Sequence, residues 1–188
     1  MNYTIESIAD FCGGKAHIAF PGSKVGRINT DHRILKRDDA LFAALKGARF
    51  DGHDFIPELL DYRGRHFLIT DEGIAQRYEG RANFIVVRDV VEALQRIAAE
   101  HRDNYDVPVI AVTGSNGKTI IKEWLNALLE GEYQICRSPK SYNSQIGVPL
   151  SVFELSSNDS LAIFEAGISR PGEMDRLEEI LWPPLGIM

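Results

Sequence analysis

Apolar residues recur along this chain in two patterns, short continuous runs and stretches with helical spacing. Runs bounded by turn residues predict β-strands, whereas apolar residues three and four positions apart predict amphipathic helices. In the first hundred residues, strands are predicted at 25–29, 40–45, 66–70 and 83–87. Helices are predicted from a Thr4 cap through Phe11, and over 55–62 and 90–101. The pattern predicts a small α/β unit.

Beyond this unit, an apolar run at 109–112 leads into a glycine-containing loop and then into a helical pattern. Further strands are predicted at 133–136 and 161–164, and the alternation of strand and helix favours a parallel sheet covered by helices. The helix after the loop is predicted to end near Gly131 and to have one apolar and one polar face. The predicted apolar face consists of Ile120, Ile121, Trp124, Leu125, Leu128 and Leu129, and the predicted polar face consists of Lys122, Glu123, Asn126 and Glu130.

A polar stretch at 100–106, followed by Pro108, marks a predicted boundary, because a helix ends there and proline cannot continue it. We therefore predict an α/β protein with domains over 1–104 and 105–188. About three strands fit after Val107, fewer than the roughly five of a usual parallel nucleotide-binding domain. The final apolar run resembles the start of another strand. We expect the second domain to be truncated and the chain to be a piece of a longer protein.

The composition is that of an ordinary globular protein, with 44% hydrophobic and 26% charged residues among 188. A formal net charge of -6 argues against broad binding to nucleic acid or to a membrane surface. Cys12 and Cys136 lie far apart without metal-ligand spacing, so we expect both to be buried apolar residues. With no secretion signal and no apolar run of membrane-spanning length, the expected location is the cytoplasm.

The loop after the run at 109–112 carries the most specific chemistry. Its glycines allow backbone N–H groups to surround phosphate oxygens, Lys118 supplies a positive charge, and the Thr119 hydroxyl can bind Mg²⁺. The predicted nucleotide-binding residues are Gly114, Ser115, Asn116, Gly117, Lys118 and Thr119. The spacing is shorter than the common Walker pattern, since Val112 stands where that pattern has its first glycine. The alternative is a plain turn between strand and helix, with Lys118 as a surface charge.

Two residues further along could complete this site. Glu165 follows an apolar run, which predicts a carboxylate at the carboxyl end of a strand, the edge at which ligands bind in open parallel sheets. It is a candidate Mg²⁺ ligand together with Thr119; the alternative is a hydrated surface glutamate. Asn143 lies in a polar stretch and could contact a phosphate or a metal-bound water, although an ordinary surface loop is equally compatible with the composition.

Polar residues also follow the apolar runs of the first unit. Arg33 and Lys46 suit a diphosphate, because an arginine fork and a lysine point charge match its oxygens. His32 and His53 have no partner at metal-ligand spacing, which favours a surface or capping role.

In combination these segments resemble the Mur ligase family. Residues 113–119 with Lys122 and Glu123, Asn143 with 146–149, and 165–167 with 171–174 are similar to successive motifs of its central domain. Residues 31–33, 41–47 and 51–56 resemble its N-terminal domain, which holds the UDP end of the muramoyl substrate. The run at 137–145, with 165–169, is similar to a Bacteroidetes-type variant in which the ligase is fused to an alanine racemase.

The resemblance implies an ATP- and Mg²⁺-dependent ligase that joins D-alanyl-D-alanine to UDP-N-acetylmuramoyl-tripeptide through an acyl phosphate. It implies a UDP-binding domain over 1–104 and the first part of a P-loop ATPase domain over 105–188. Lys118, Asn143 and Glu165 are then the expected catalytic residues. The expected substrate-binding residues are Asp31, Arg33, Lys46, Gly47, Asp51 and His53.

Two other classes of protein remain open at this stage. One is another ATP-dependent amide ligase with the same loop, of the folylpolyglutamate synthase type, although the segments around Asp31, Lys46 and Asp51 argue against it. The other is a non-catalytic module that binds a UDP-linked precursor. Because further metal-holding residues and a closing domain of the family are not found in these 188 residues, we expect no turnover by this chain alone.

Overall fold

The computed structural model of the chain describes residues 1–35, 39–62 and 65–188. They form two compact units, Met1–Ile97 and Ala98–Met188, with strands and helices alternating in both. The sequence placed its boundary a few residues later, after Asn104. The predicted α/β class is confirmed. Among the described residues, no helix combines the length and the apolar character that crossing a membrane requires.

The strands of the first unit are β1 Tyr3–Thr4, β2 Lys15–His17, β3 Lys24–Val25, β4 Arg27–Asn29, β5 Ala40–Ala43, β6 His66–Ile69 and β7 Asn83–Val86. Five of them form one sheet in the order β2-β7-β6-β5-β4. The four neighbouring strands from β7 to β4 run parallel to one another, and β2 is antiparallel to β7. The strands β1 and β3 pair separately as a two-stranded antiparallel ribbon.

The helices of this unit follow local sequence signals. Thr4 accepts a hydrogen bond from the N–H of Ser7 and so caps α1, which ends at Gly13 in the left-handed conformation. Short 3₁₀ turns stand at His32–Ile34 and Gly52–Phe55, each capped by an aspartate. The α-helices are α1 Ile5–Cys12, α2 Ile56–Tyr62, α3 Glu72–Arg77 and α4 Val90–Asp103, the last of which runs into the second unit.

One predicted strand is wrong in detail. The segment 25–29 is divided at Gly26, because β3 pairs with β1 whereas β4 pairs with β5 in the larger sheet. Gly26 approaches Asp39 so closely that a Cβ atom would lie 2.3 Å from its Oδ2. The strand β2 and the helix α3 were not predicted, since both are short and have little apolar periodicity.

The strands of the second unit are β8 Val109–Val112, β9 Ile135–Arg137, β10 Leu161–Glu165 and β11 Leu185–Ile187, and its helices are α5 Lys118–Leu129, α6 Gly147–Val152 and α7 Glu173–Leu181. The strands form a fully parallel sheet in the order β11-β8-β10-β9. The sheet therefore has four strands rather than three, because the final apolar run pairs with β8. The carboxyl ends of β8 and β10 meet at one edge.

The predicted faces of α5 are wrong at several positions. Lys122, assigned to the polar face, is completely buried, whereas Ile120, Trp124 and Leu128 of the assigned apolar face are exposed. The residues that pack on the sheet are Ile121, Leu125 and Leu129, around Val112, Leu161 and Ile163. Helical period alone indicated one wide apolar face, and it could not show which part of that face the four-stranded sheet covers.

Candidate functional site

The phosphate loop occupies residues 113–117, between the end of β8 and the start of α5. Gly114 has a φ of 122° and Gly117 a φ of 80°, both in the region that favours glycine. Gly117 caps α5 without any side-chain hydrogen bond, so no side chain occupies the start of the helix. The first-turn N–H groups, which have no partner within a helix, are therefore open to an anion such as phosphate.

Lys118 begins α5 and is half-buried rather than a free surface charge. Its Nζ donates to the carbonyl oxygen of Gly114 at 2.7 Å, so the ammonium group lies back across its own loop. Ser115 and Asn116, at the tip of the loop, are exposed. The loop thus presents backbone amides and one cation at the same place.

Glu165 lies directly beside this loop. It ends β10, and its Cα is the register partner of Val112, the last residue of β8. Its side chain is completely buried, which rules out the hydrated surface glutamate considered from the sequence. Thr119 Oγ1 donates to Glu165 Oε2 at 3.1 Å. The two predicted metal ligands, 46 residues apart in sequence, are therefore in contact.

Asn143 also reaches this carboxylate, with Nδ2 at 3.4 Å from Glu165 Oε2. Its backbone carbonyl accepts a hydrogen bond from the N–H of Gly167 at 2.7 Å, which ties its loop to the segment after β10. Gly167 lies close against Asn143, since a Cβ atom there would be 3.0 Å from Asn143 Cγ. The polar stretch is thus held at the sheet edge and is not a plain surface loop.

The oxygens at this edge fit a magnesium ion. Mg²⁺ is bound at about 2.1 Å in octahedral geometry, so neighbouring ligand oxygens lie about 3 Å apart, close to the Thr119–Glu165 separation. Glu165 Oε1 lies 3.0 Å from Lys122 Nζ in a buried ion pair, so Oε2 is the carboxylate oxygen that is turned towards Thr119 and the loop. Within the described residues no group of three or more His, Cys, Asp or Glu side chains is suited to a metal. In a site with two protein oxygens, phosphate oxygens and waters would have to supply the other ligands of the ion.

A cleft of about 360 Å³ opens beside Lys118 and Asn143. It is also lined by Gln145 and Glu173, which the sequence analysis did not select. The N–H groups of Ser169 and Arg170 donate to the Glu173 carboxylate and hold its pKa below the usual value. The cleft therefore places an amide, an ammonium and a carboxylate next to the phosphate loop.

In the first unit, three of the predicted substrate-binding residues form one polar cluster. Asp51 accepts hydrogen bonds from the N–H of His53 at 3.0 Å and from its Nδ1 at 2.6 Å, and these lower the pKa of Asp51. The N–H of Thr70 donates to His53 Nε2 at 3.0 Å, which leaves the ring proton on Nδ1. Lys46 Nζ lies 3.8 Å from Asp51 Oδ2. His53 is buried, not the surface residue considered from its spacing.

These residues border a cleft of about 470 Å³ that also includes Thr70, Asp71 and Arg77. Lys46 is largely exposed above it, and the N–H of the neighbouring Gly47 is bonded to the carbonyl of Phe50 at 2.9 Å. The cleft is lined by two cations, Lys46 and Arg77, and by three aspartates, Asp51, Asp54 and Asp71, so an anionic ligand would be bound by the individual cations and not by a net positive charge.

Asp31 and Arg33 are not part of that cluster. Arg33 forms a two-point ion pair with Asp31, with Nε to Oδ1 at 2.9 Å and Nη2 to Oδ2 at 2.7 Å. This pairing holds the pKa of Asp31 at about 2. One edge of the guanidinium group, formed by Nε and Nη2, is therefore occupied by a carboxylate. His32 stacks on Phe55 with ring centroids 3.8 Å apart.

Sequence reasoning missed the role of Lys122 and Ser138. Ser138 Oγ accepts a hydrogen bond from the N–H of Glu165 at 3.0 Å, and its carbonyl accepts one from Lys122 Nζ at 2.8 Å. A lysine in a helical pattern normally indicates a solvent-exposed position. The only sign of another role for Lys122 was its place one turn after Thr119. Both cysteines are buried free thiols, as expected.

The comparisons with known proteins agree with this geometry. Residues 35–102 match the family model described as Mur ligase family, catalytic domain, and residues 112–188 match the Mur ligase middle domain. The chain belongs to the Mur ligase family.

Among its relatives is the UDP-N-acetylmuramoyl-tripeptide--D-alanyl-D-alanine ligase of Bacillus subtilis, 33% identical over 98% of this chain and 40% of the relative. The ligase of the same description from Synechocystis is 38% identical over 88% of this chain and 36% of the relative. A crystal structure of MurF from Acinetobacter baumannii matches with a TM-score of 0.90 at 28% identity, over 99% of this chain and 40% of that chain.

MurF from Thermotoga maritima, solved in complex with ADP, matches with a TM-score of 0.74 at 32% identity, over 84% of this chain and 35% of that chain. The chain thus spans about 40% or less of the length of these relatives.

Proposed function

We propose that this chain carries the UDP-substrate site and part of the ATP site of a peptidoglycan-precursor ligase. The full reaction would join D-alanyl-D-alanine to UDP-N-acetylmuramoyl-tripeptide at the expense of ATP. The observation that carries this proposal is the contact between Thr119 and Glu165 beside the phosphate loop, within a Mur ligase middle domain. The names of the relatives supply the substrate class. The predicted fusion to an alanine racemase stays a prediction.

In this proposal residues 105–188 bind the nucleotide. The amides from Asn116 to Thr119 surround the terminal phosphates, and Lys118 leaves the Gly114 carbonyl to neutralise their charge. Thr119 and Glu165 would hold Mg²⁺, with Asn143 contacting the nucleotide or a metal-bound water. Bound there, Mg²⁺ would neutralise phosphate charge during transfer. Positioning and charge neutralisation dominate phosphoryl transfer, so no strong general base is needed among these residues.

The chemistry takes place in two steps. A carboxylate oxygen of the tripeptide attacks the γ-phosphorus, which gives an acyl phosphate and ADP. The amine of D-alanyl-D-alanine then attacks the acyl carbon, and inorganic phosphate and a proton leave. Lys118 lies at the border between the phosphate loop and the cleft with Asn143 and Glu173, so it would contact the group in transit.

Residues 1–104 would hold the UDP end of the substrate. The cleft bordered by Lys46, Asp51 and His53 is the best candidate, because Lys46 and Arg77 can contact phosphate oxygens there, although three aspartates also line it. Gly47 would contribute through its turn with Phe50. Arg33 is a weaker candidate, since Asp31 already occupies one edge of its guanidinium group.

The test is a calorimetric titration of the chain with UDP-N-acetylmuramoyl-tripeptide, with and without ATP and Mg²⁺. We expect saturable binding of the UDP compound and a separate, Mg²⁺-dependent binding of ATP. Lys118→Ala should weaken ATP binding and leave UDP binding unchanged. A folded sample that binds ATP and ignores the UDP compound would contradict the substrate assignment and favour a ligase of the folylpolyglutamate synthase type. The opposite result, UDP binding without ATP binding, would favour a non-catalytic module.

A further inference from the structure

The structure describes every residue of α5, and Lys122 is the only one of them that is buried. Its side chain has no exposed surface. Burying an ammonium group is costly unless acceptors surround it, so its partners must be sufficient to hold the charge. No step proposed above for phosphoryl transfer uses this residue.

The partners of Lys122 come from three segments of the second unit. Its Nζ donates to the carbonyl oxygens of Ser138 at 2.8 Å and Lys140 at 2.5 Å. It also forms ion pairs with Glu165 Oε1 at 3.0 Å and Glu123 Oε1 at 3.2 Å. The two carbonyls take two of the three N–H groups, so one N–H group remains for the two carboxylates.

These two carboxylates differ in how far their negative charge depends on Lys122 for stabilisation. Glu123 is about half exposed and is also paired with Arg137, so solvent and a second cation already stabilise it. Glu165 is completely buried, and among the ion pairs found in the described residues its partner is Lys122. The ion pair therefore matters chiefly for Glu165.

The contact also fixes the direction of the Glu165 carboxylate. Oε1 faces Lys122, and this turns Oε2 towards Thr119 and Asn143 at the mouth of the phosphate loop. Rotation of the carboxylate plane away from this orientation would break the contact of one oxygen with the Lys122 cation and that of the other with the Thr119 hydroxyl. An outer partner that orients a ligating carboxylate raises metal affinity, and its loss commonly costs about 10- to 100-fold.

We propose that Lys122 is a positioning residue for divalent-metal binding: it holds Glu165 in the orientation in which Oε2 and the Thr119 hydroxyl bind the metal of a metal–nucleotide complex. This inference rests on the nucleotide site proposed above. It assigns Lys122 no contact with nucleotide or substrate. Its effect is transmitted through Glu165 alone.

The test measures the affinity of the chain for a non-hydrolysable ATP analogue in Mg²⁺ and in EDTA, and the binding of Mn²⁺ to the complex by electron paramagnetic resonance. In Lys122→Met we expect Mn²⁺ affinity to fall about 10-fold or more, while analogue affinity in EDTA changes less than about twofold. Glu165→Gln should behave in the same way. In the double variant, Lys122→Met should add nothing to the loss caused by Glu165→Gln.

A control variant with a comparable loss of stability separates a positioning role of Lys122 from a merely structural one. Leu177→Ala removes a completely buried side chain of α7 and should lower the melting temperature while keeping the Mg²⁺ dependence. If Lys122→Met does not fold, the double variant, which buries no unpaired carboxylate, is compared with Glu165→Gln alone. An additional loss of Mn²⁺ affinity in the double variant would overturn the inference.

Binding by the wild-type chain separates a failure of the role proposed for Lys122 from a failure of the proposed nucleotide site. If it binds the analogue with Mg²⁺ and folded Lys122→Met keeps the same Mn²⁺ affinity, only the role of Lys122 is overturned. If the wild-type chain shows no Mg²⁺-dependent binding at all, the proposed nucleotide site is overturned and the inference with it.

Discussion

The hydroxyl of Thr119 donates to Oε2 of Glu165 at 3.1 Å, joining the first turn of α5 to the end of β10. The parallel pairing of β8 with β10 makes this contact possible, because it sets Val112 and Glu165 in register at the same sheet edge. A helix residue and a strand residue thereby form one oxygen pair. The arrangement depends on tertiary structure and not on any local motif.

Replacing Thr119 by valine tests this pair directly. Thr119→Val keeps the shape of the side chain but removes the hydroxyl, so we expect the Mg²⁺-dependent gain in nucleotide affinity to fall about 10-fold. Stability should fall by only about 1 kcal/mol, since one partly buried hydrogen bond is lost. Calorimetry in Mg²⁺ and in EDTA measures the first effect, and urea unfolding measures the second.

Ser157→Ala is a suitable control, because it removes an exposed hydroxyl from the same unit. It should change neither quantity. Equal Mg²⁺ dependence in Thr119→Val and the wild type would show that the threonine is not a metal ligand.

The sequence predicted those parts of the fold that depend on local signals. The cap at Thr4, the buried strand before Glu165 and the strand–loop–helix order around Lys118 all follow from residues close together in the chain. Motif chemistry likewise selected Thr119, Asn143 and Glu165 separately. Their convergence was expected only from the general rule that carboxyl ends of parallel strands meet.

The errors occur where distant segments decide the outcome. Lys122 reads as solvent-exposed by helical period, but Glu165 and the carbonyl of Ser138 are brought to it from later in the chain. Trp124 shows the opposite error, since the helical period predicts a buried residue but the side chain is exposed. Gly26 divides a predicted strand because its two halves join different sheets. None of these partners is visible in a local pattern.

Acid should destabilise the second unit through His101. This side chain is completely buried in α4, and its Nε2 contacts the carbonyl of Leu155 at 3.1 Å. Burial lowers the pKa of His101 from 6.5 to about 4. Between these two values the unfolded chain binds a proton that the folded chain does not, so stability falls as the pH drops, by roughly 3 kcal/mol at pH 4.

Urea unfolding from pH 7.5 to pH 4 measures this effect. In His101→Gln the amide can still donate to Leu155, but no proton is taken up, so the decline between pH 6.5 and pH 4 should be shallower. Asn158→Gln, which changes an exposed amide of the same unit and no titratable group, should keep the wild-type slope. Identical slopes for wild type and His101→Gln would show that other groups cause the acid sensitivity.

Lys46 should contribute to the affinity for UDP compounds. It is the exposed cation above the cleft with Asp51 and His53, and a charge-assisted contact to phosphate is worth about 2 kcal/mol. Lys46→Met should therefore weaken UDP binding about 10- to 30-fold and leave ATP binding unchanged. Lys24→Met, an exposed lysine on β3, should alter neither affinity. Unchanged UDP binding in Lys46→Met would place the phosphate-binding cation elsewhere.

The two thiols should be unreactive in the folded chain. Burial raises the pKa of Cys136 to about 12 and also raises that of Cys12, and only the thiolate reacts readily. At pH 8 the thiolate fraction of Cys136 would be about one in ten thousand, compared with about a quarter for an ordinary thiol.

Labelling with iodoacetamide should therefore follow unfolding, with both cysteines modified in urea and neither in buffer. Ser157→Cys supplies an exposed thiol that should be labelled at once. Equally fast labelling of Cys136 in native buffer would mean that the edge of the sheet at β9 opens readily.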